Sequence, residues 1–310
     1  MLGSLVTLLV RLFLGILNFL PFRLAVSVTE ILFRSVLFLR PSLTAVAEKN
    51  LKIAFPDFGA EERKTLLRES ISAHSRLIVD SARLARYDKT WVSKHLEFEN
   101  QAAFEALKKN HKTGVVVATG HLGSFELLAH GAALLGFPLA FVVRNFAIEA
   151  LDQWWISIRE AHGNIVLNRS GALKRAIRLI RDGTDVAFLF DQNVTRNLAV
   201  FPKFFSQPAA VTRAVAVTVL KTGAPLIVAG LVRTGEQNHK IVWKQCQTED
   251  VIHNETLSHE TKVEQITARA STLFEGFVKL SPAEWFWFHR RWKTRPTEAD
   301  PSLYSEASPE

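Results

Sequence analysis

The amino-acid sequence predicts an α/β protein with a mostly parallel central sheet, helices on both faces of that sheet, and an N-terminal membrane-anchoring helical segment. From residue 114 onward, short apolar runs alternate with stretches of helical periodicity, which is typical of parallel strands joined by helices. Two of the predicted helices stop at a glycine directly after their last turn, Gly183 and Gly223. The start of the chain differs, because residues 2–20 are nearly all apolar.

We divide the chain into an N-terminal membrane anchor with an amphipathic helix (residues 1–40), one α/β domain (41–296) and a flexible tail (297–310). As a helix, residues 2–20 extend over about 28 Å, just enough for a hydrocarbon core of about 30 Å. Arg11 lies in the middle of this run, where a charge costs about 2.5–3.5 kcal/mol. The run is therefore either a marginal membrane span or a shallowly embedded helix.

The next stretch, residues 22–39, places its polar residues on one helical face and predicts an amphipathic helix. Such a helix lies either on a membrane surface or against the body of the protein. Basic residues follow the first apolar run and none precedes it. By the positive-inside tendency, this asymmetry puts the body of the protein on the cytoplasmic side.

A long amphipathic helix is predicted over residues 60–86, and the alternating part of the domain follows it. The predicted strands are Val115–Thr119, Leu139–Val143, Asn164–Leu167, Asp185–Phe190, Pro225–Val232 and Lys240–Gln245. The predicted helices are residues 125–135, Ile148–Ala161, Gly171–Asp182, Ala209–Thr222 and residues 259–280. In such a fold, the carboxyl ends of the parallel strands form the edge where a binding or catalytic site is expected.

The composition limits the classes of partner and site. The formal net charge of +8 favours acidic partners such as an anionic membrane surface, a phosphorylated substrate or an acidic carrier protein. Nucleic acid is disfavoured, because no basic run accompanies a nucleic-acid-binding motif. Cys246 is the only cysteine, so the chain forms no internal disulfide and no cysteine-based metal site. We predict neither a metal nor a cofactor.

The stretch from Gly114 to Gly136 contains the strongest candidate for a catalytic group. Its buried strand leads into a tight turn and then into a helix that Ser124 can cap, so His121 projects at the carboxyl edge of the sheet. Glu126 can reach back to one imidazole nitrogen and leave the other free to take a proton. Glycines at the turn, including Gly123, would let a substrate approach the backbone, and Gly123 and Ser124 are candidate substrate-binding residues. A structural, hydrogen-bonded histidine is the alternative.

Further candidates follow the other predicted strands. Arg144 and Asn145 follow the second strand, where a fixed guanidinium beside the histidine would stabilise negative charge on a carbonyl oxygen. A salt bridge at the strand end is the alternative for this arginine. Asp191 ends the fourth strand and is a second carboxylate that could orient His121. Spacing does not decide between the two carboxylates, and we rank Glu126 first.

Two basic regions are candidate substrate-binding sites. Arg169, Ser170 and Gly171 open a helix, and a helix N-terminus with these residues can hold an anion. Arg290 and Arg291 lie in a tryptophan-rich run whose aromatic and basic surface suits a membrane interface with anionic head groups. The helix after residue 171 also presents cations that suit an anionic head group or an acidic carrier protein, unless they are only a solvated face. These cations are Lys174, Arg175, Arg178 and Arg181.

Taken together, the motifs resemble those of a known family. His121 and Glu126 form an H-x-x-x-x-E element that resembles the first signature of the glycerolipid and lysophospholipid acyltransferases. Its context, ATGHLGSFEL, is most similar to the late acyltransferases of lipid A biosynthesis, which add lauroyl or myristoyl chains. Further similar elements occur in the family's order, and the resemblance covers residues 1–296. These elements are AEKNLKIAFP (47–56), FLFDQN (188–193), FPKFFSQPAA (201–210) and HRRWKTRP (289–296).

The resemblance implies a membrane-attached acyltransferase that needs no cofactor. It would move a fatty acyl chain from the thioester of acyl carrier protein, or of coenzyme A, to a hydroxyl of a Kdo-bearing lipid A precursor. His121 would be the general base, and Arg144 would bind phosphate or polarise the thioester. The implied location is the bacterial inner membrane, with the catalytic domain on the cytoplasmic face.

Three other functions remain open at the level of the sequence. One is an acyltransferase of another glycolipid, of the phosphatidylinositol mannoside type, that uses acyl-coenzyme A. Another is a thioesterase or lipid hydrolase that uses the same histidine and carboxylate on water. The last is a lipid-binding protein of the membrane surface that has no catalytic activity.

Overall fold

The computed structural model describes residues 2–143 and 145–304 of the chain. One set of helices precedes the sheet, and a second set is interleaved with its strands. The helices are α1 (Leu2–Phe19), α2 (Phe22–Leu39), α3 (Pro41–Ala54), α4 (Ala60–Arg83), α5 (Lys89–His95), α6 (Gln101–Lys109), α7 (Phe125–Leu134), α8 (Glu149–Glu160), α9 (Ala172–Arg181), α10 (Ala214–Thr222), α11 (Glu249–Ile252) and α12 (His259–Leu280).

The strands form one central sheet and two small two-stranded sheets. They are β1 (Leu96–Phe98), β2 (Val116–Thr119), β3 (Leu139–Val143), β4 (Ile165–Asn168), β5 (Asp185–Leu189), β6 (Ala199–Val200), β7 (Lys203–Phe204), β8 (Gln207–Pro208), β9 (Val211–Thr212), β10 (Leu226–Arg233) and β11 (His239–Cys246). The order in the central sheet is β1-β11-β10-β2-β5-β3-β4, while β6 pairs with β9 and β7 with β8.

The central sheet is mostly parallel, as predicted. The neighbouring strands β10, β2, β5, β3 and β4 run in the same direction, whereas β11 is antiparallel to β10 and pairs in parallel with the edge strand β1. In the centre, β2 and β5 are paired from Val116↔Val186 to Thr119↔Leu189. The residues that directly follow these two strands therefore meet at one edge of the sheet.

Helices lie on both faces of the sheet, because alternate strand residues point to opposite sides. On one face, Val116 and Val186 belong to a core that also holds side chains of α9, α10 and α12. On the other face, Val117 and Ala187 pack with Phe104 of α6 and with partly buried side chains of α7 and α8. The β-branched runs that predicted strands are thus buried from both sides.

The N-terminal helices pack on the body of the protein and also present an apolar exterior. Leu17 of α1 and Ala25 of α2 are fully buried and share a core with Val79 of α4. Exposed apolar side chains cover the outer faces of α1 and α2, and we call them the apolar surface. They are Leu5, Leu8, Leu9, Leu12, Ile16 and Phe19 in α1, and Leu24, Ile31, Leu32, Val36, Phe38 and Leu39 in α2.

The predicted membrane anchor in residues 1–40 is not supported. Within the described part of the chain, no helix combines the length and the apolar character needed to cross a bilayer. Both stretches do form helices as predicted, and α1 ends before Pro21. Arg11, which the sequence places in the middle of the apolar run, lies over the ring of Trp154 in α8 at 5.4 Å.

The chain after α12 folds back over the domain. Asn50 of α3 is fully buried, and its amide donates to the backbone oxygens of Trp287 (2.6 Å) and His289 (2.7 Å). Its own oxygen accepts a hydrogen bond from the hydroxyl of Tyr304 at 2.6 Å, and Tyr304 is buried. The packed part of the chain thus reaches Tyr304, within the predicted flexible tail of residues 297–310, of which residues 305–310 lie outside the described part of the chain.

Candidate active site

The turn between β2 and α7 contains two glycines at positions where neighbouring atoms leave no room for a Cβ. A Cβ on Gly120 would lie 2.3 Å from a ring carbon of Phe274 and 2.5 Å from the carboxyl carbon of Asp191. Gly123 has a φ of +58°, and a Cβ there would lie 2.1 Å from the carbonyl oxygen of Leu231. The close approach at Gly123 is therefore made by the protein's own backbone, and the approach of a substrate to Gly123 stays a prediction.

His121 in this turn forms a dyad with Asp191, the second residue after β5. The Nδ1–H of His121 donates to Asp191 Oδ1 at 2.9 Å, and the backbone N–H of His121 donates to Asp191 Oδ2 at 2.8 Å. The Asp191 side chain is 1% exposed, whereas that of His121 is 22% exposed. The carboxylate is therefore enclosed by protein while the imidazole can still be reached from outside.

The carboxylate that orients His121 is Asp191 and not Glu126, which corrects our ranking. Glu126 lies in the first turn of α7 and forms an ion pair with Arg159 of α8, whose Nε donates to Glu126 Oε2 at 3.0 Å. Asp191 reaches His121 because β5 is the sheet neighbour of β2. A spacing of five residues along the chain could not show this neighbour.

The charges of the dyad shift both pKa values. Burial alone would lower the pKa of His121, but the charge of Asp191 and its hydrogen bond outweigh burial and raise that pKa. Burial works in the opposite direction on Asp191, where the charge of His121, its hydrogen bonds and the indole N–H of Trp285 lower the pKa to about 2. Asp191 is therefore ionised at neutral pH, and it fixes the imidazole with the proton on Nδ1 and a lone pair on Nε2.

The C-terminal segment closes over the dyad. The indole N–H of Trp285 donates to Asp191 Oδ2 at 2.8 Å. The backbone N–H of Phe286 donates to the carbonyl oxygen of His121 at 3.1 Å, and that of Gly123 to the carbonyl oxygen of Glu284 at 2.9 Å. This segment thus holds the turn that carries His121 as well as the carboxylate that orients it.

The tryptophan-rich run is part of the core, which corrects our prediction of an aromatic and basic surface. Trp285, Trp287 and Trp292 are at most 2% exposed. Arg291 is 1% exposed, donates to the carbonyl oxygen of Ala210 at 2.6 Å, and lies 5.3 Å from the ring of Phe204. Arg291 therefore packs inside the protein, beyond reach of a bound lipid. The side chain of Arg290 is partly exposed.

Ser124 does not face a substrate either. It is 2% exposed, and its hydroxyl donates to Oδ2 of the fully buried Asp80 in α4 at 2.5 Å. Asp80 also accepts hydrogen bonds from Arg233 (2.6 Å) and from the hydroxyl of Tyr87 (3.2 Å). Sequence reasoning missed this buried cluster, because its members lie on elements far apart in the chain.

The other predicted residues that the structure describes follow β3 and β4, whose carboxyl ends lie at the same edge of the sheet as that of β2. Arg169, Ser170 and Gly171 are exposed and follow β4, which is three strands from β2, or about 14 Å away. Asn145 donates to Asp152 at 2.6 Å and so holds the loop between β3 and α8. Arg144 lies outside the described residues, so its role in stabilising an oxyanion stays a prediction.

The fold is that of an α/β protein. Its candidate site is a histidine–carboxylate pair at the carboxyl ends of two central parallel strands. The family model of the bacterial lipid A biosynthesis acyltransferases matches residues 1–294. The chain therefore belongs to this family, and the protein is an acyltransferase of lipid A and lipopolysaccharide biosynthesis.

Individual relatives agree with this assignment. The lipid A biosynthesis acyltransferase of Haemophilus influenzae is 27% identical over 271 residues, which cover 84% of this chain and 80% of the relative. The lipid A biosynthesis palmitoleoyltransferase of Escherichia coli is 24% identical over 264 residues, covering 84% and 81%. The lauroyltransferase of the same organism is 23% identical over 274 residues, again covering 84% and 81%.

Proposed function

We propose that the protein transfers a fatty acyl chain from the thioester of acyl carrier protein to a hydroxyl of a Kdo-bearing lipid A precursor. The observation that carries this proposal is the contact between His121 Nδ1 and Asp191 at 2.9 Å. It leaves His121 Nε2 as a proton acceptor at the carboxyl edge of the sheet. Family membership supplies the acyltransferase class and points to the lipid A precursor as acceptor.

In this mechanism, His121 removes the proton from the acceptor hydroxyl as its oxygen attacks the thioester carbonyl carbon. A tetrahedral oxyanion forms, the C–S bond breaks, and the imidazolium returns its proton to the leaving thiolate. Asp191 stays ionised throughout and stabilises the imidazolium. A general base contributes about 10²–10⁴ in rate, and positioning of the two substrates contributes much of the rest.

The oxyanion requires a cation or hydrogen-bond donors at its position. We assign this role to Arg144, the residue after the last residue of β3. Strand β3 is the direct neighbour of β5, which leads to Asp191, and a guanidinium near that edge would stabilise charge that develops only in the transition state.

The exposed face of α9 supports the proposal that the acyl group is delivered by an acidic carrier protein. It presents cations over about two turns, and none of the large apolar side chains that are exposed in the described chain belongs to α9. A polar, positively charged face suits a soluble acidic protein better than a bilayer. The exposed cations are Lys174, Arg175, Arg178 and Arg181.

We further propose that the apolar surface of α1 and α2 rests on the cytoplasmic face of the inner membrane. Helix α1 contacts α8, and α8 follows the loop after β3, so α8 connects α1 to the edge of the sheet that carries the candidate site. Phe146 (44% exposed) and Leu198 (43% exposed) add apolar side chains on loops that follow β3 and β5. A site at this position could take a lipid hydroxyl from the bilayer surface.

The test is an acyl-transfer assay with acyl carrier protein as donor and a labelled Kdo-bearing lipid A precursor as acceptor. We expect His121→Ala to lose about 10²–10⁴ of the wild-type rate and Asp191→Asn about 10³–10⁴. His111→Ala is the matched control, because His111 lies in the turn after α6, away from the strand ends that carry the dyad.

Other outcomes would redirect the proposal. Transfer only from acyl-coenzyme A, to a phosphatidylinositol mannoside, would replace both substrates. Release of free fatty acid at the same rate with and without an acceptor would identify a hydrolase. Full activity of the purified His121→Ala variant would remove His121 as the base.

A further inference from the structure

Gln192 contacts the nitrogen of His121 that the proposed reaction uses. The Gln192 amide nitrogen lies 3.3 Å from His121 Nε2. Because His121 Nδ1–H donates to Asp191, Nε2 carries the lone pair of the neutral imidazole, and only an N–H or O–H group can pair with it. The Gln192 amide therefore donates to the lone pair that must accept the proton of the acceptor hydroxyl.

The backbone on both sides of Gln192 is anchored, so the side chain can move by itself. Asp191 is held by hydrogen bonds from His121 and Trp285. On the other side, the Asn193 N–H donates to His289 Nε2 at 2.9 Å, and the Asn193 amide exchanges two hydrogen bonds of 3.0 Å with Thr294. Release of Nε2 therefore needs a side-chain rotation of Gln192 and no rearrangement of the loop.

We propose that Gln192 occupies the position of the acceptor hydroxyl when no acceptor is bound, and that it thereby limits hydrolysis of the thioester donor. This inference rests on the proposed function. A base needs its hydroxyl at about 2.6–3.2 Å, and the Gln192 nitrogen stands at nearly this distance. The acceptor hydroxyl replaces the amide on Nε2 when it binds, so the base is exposed only when its substrate is present.

The reaction that Gln192 suppresses is the transfer of the acyl group to water. Water would give a proton to His121 Nε2 while its oxygen attacks the thioester carbonyl carbon. The C–S bond then breaks, and the thiolate takes the proton back from the imidazolium, which yields a free fatty acid and a thiol. Loss of one neutral hydrogen bond that blocks this route would raise the rate about 2- to 10-fold.

The experiment measures release of free fatty acid from acyl carrier protein in the absence of any acceptor. Gln192→Met keeps the length of the side chain and removes the N–H donor, so we expect release about 2- to 10-fold faster than in the wild type. Gln101→Met is the matched control, since the Gln101 amide donates to Glu105 within α6, and it should leave release unchanged. His121→Ala combined with Gln192→Met should abolish the gain.

A measurement without turnover separates this inference from the proposed function. A hydrogen bond to the lone pair stabilises neutral imidazole, so Gln192→Met should raise the pKa of His121 in an NMR titration of labelled histidine. Gln192→Glu should raise it further, because a carboxylate stabilises the imidazolium. Unchanged release together with an unchanged pKa of His121 would overturn the inference. Absent transfer by the wild type would instead overturn the proposed function, and the titration would still report on the contact.

Discussion

The indole of Trp285 and the backbone N–H of His121 donate to the same oxygen of Asp191, each at 2.8 Å. The other oxygen of Asp191 is left for the imidazole of His121. Both oxygens of this buried carboxylate are therefore paired, as an ion in the protein interior requires. Trp285 is thus a positioning residue of the dyad, and its removal should change the chemistry of His121 as well as the stability of the fold.

We expect Trp285→Phe to shift the acidic limb of the pH profile of kcat/KM to higher pH. Without the indole N–H, Asp191 is a stronger proton acceptor, so it holds the imidazolium of His121 more tightly and raises its pKa further. The rate at pH 8 should fall less than the rate at pH 6. Trp287→Phe is the control, because the Trp287 indole donates to the carbonyl oxygen of Pro282. An equal loss of activity at every pH would show that Trp285 has only a packing role.

Glu126→Gln should move the same acidic limb in the opposite direction. The charge of Glu126 contributes to raising the pKa of His121, so its neutralisation lowers that pKa and lets His121 act as a base at lower pH. Because Arg159 then lacks its ion-pair partner, the melting temperature should also decrease. An activity loss as large as that of Asp191→Asn, with an unshifted limb, would contradict this secondary role for Glu126.

The buried ion pair of Asp80 and Arg233 should contribute strongly to the stability of the fold. The two side chains are 0% and 8% exposed, and removal of one partner leaves an uncompensated charge in the interior. We expect Asp80→Leu to lower the free energy of unfolding by about 3–5 kcal/mol, measured by urea denaturation. Asp80→Leu with Arg233→Met should recover part of this loss. A double variant as unstable as the sum of its single variants would exclude coupling of the pair.

Acidification should destabilise the fold between about pH 6.5 and pH 4. Burial lowers the pKa values of His74, His239 and His289 to about 4, whereas an unfolded histidine has a pKa of about 6.5. In this window the unfolded chain binds more protons, so stability is present above it and is lost as the pH falls. The raised pKa of His121 stabilises the fold at low pH instead, but His121 is one group against these three histidines.

The measurement is the urea midpoint at several values of pH across that window. His74→Phe should flatten the dependence, because His74 already lies among aromatic rings, 5.3 Å from Phe286 and 5.9 Å from Phe288. His253→Phe, in the turn after α11, is the control and should leave the slope unchanged. A midpoint independent of pH in the wild type would contradict the buried, uncharged state of the three histidines.

The fold was predictable where local pattern decides it. Strand Leu139–Val143 was predicted with the bounds that the structure shows, and the helix of residues 259–280 likewise. Helix Ala209–Thr222 starts only at Ala214, because Val211 and Thr212 pair with β6 instead. Pairing between short segments depends on tertiary contacts, which the apolar pattern of one segment does not contain.

The same distinction applies to the site. The position of His121 at the sheet edge follows from a strand, a turn and a helix that are contiguous in sequence. Its partnership with Asp191 depends on the strand order, which spacing along the chain does not contain, and our ranking put Glu126 first. The buried state of Trp285 and Arg291 was also missed, since composition shows that a run is aromatic and basic but not which side of it faces the protein. The signal available for Asp191 was its place at the carboxyl end of the predicted strand Asp185–Phe190, which is apolar from Val186 onward.

The closure of the C-terminal segment over the dyad has a consequence for the order of events during synthesis. Trp285 is 94 residues beyond Asp191 and emerges from the ribosome after every strand of the sheet. A nascent chain can therefore pair His121 with Asp191 before the group that completes the carboxylate's surroundings has been made. The hydrogen-bonding surroundings of Asp191 are thus completed late in synthesis, after the strands of the sheet have been made.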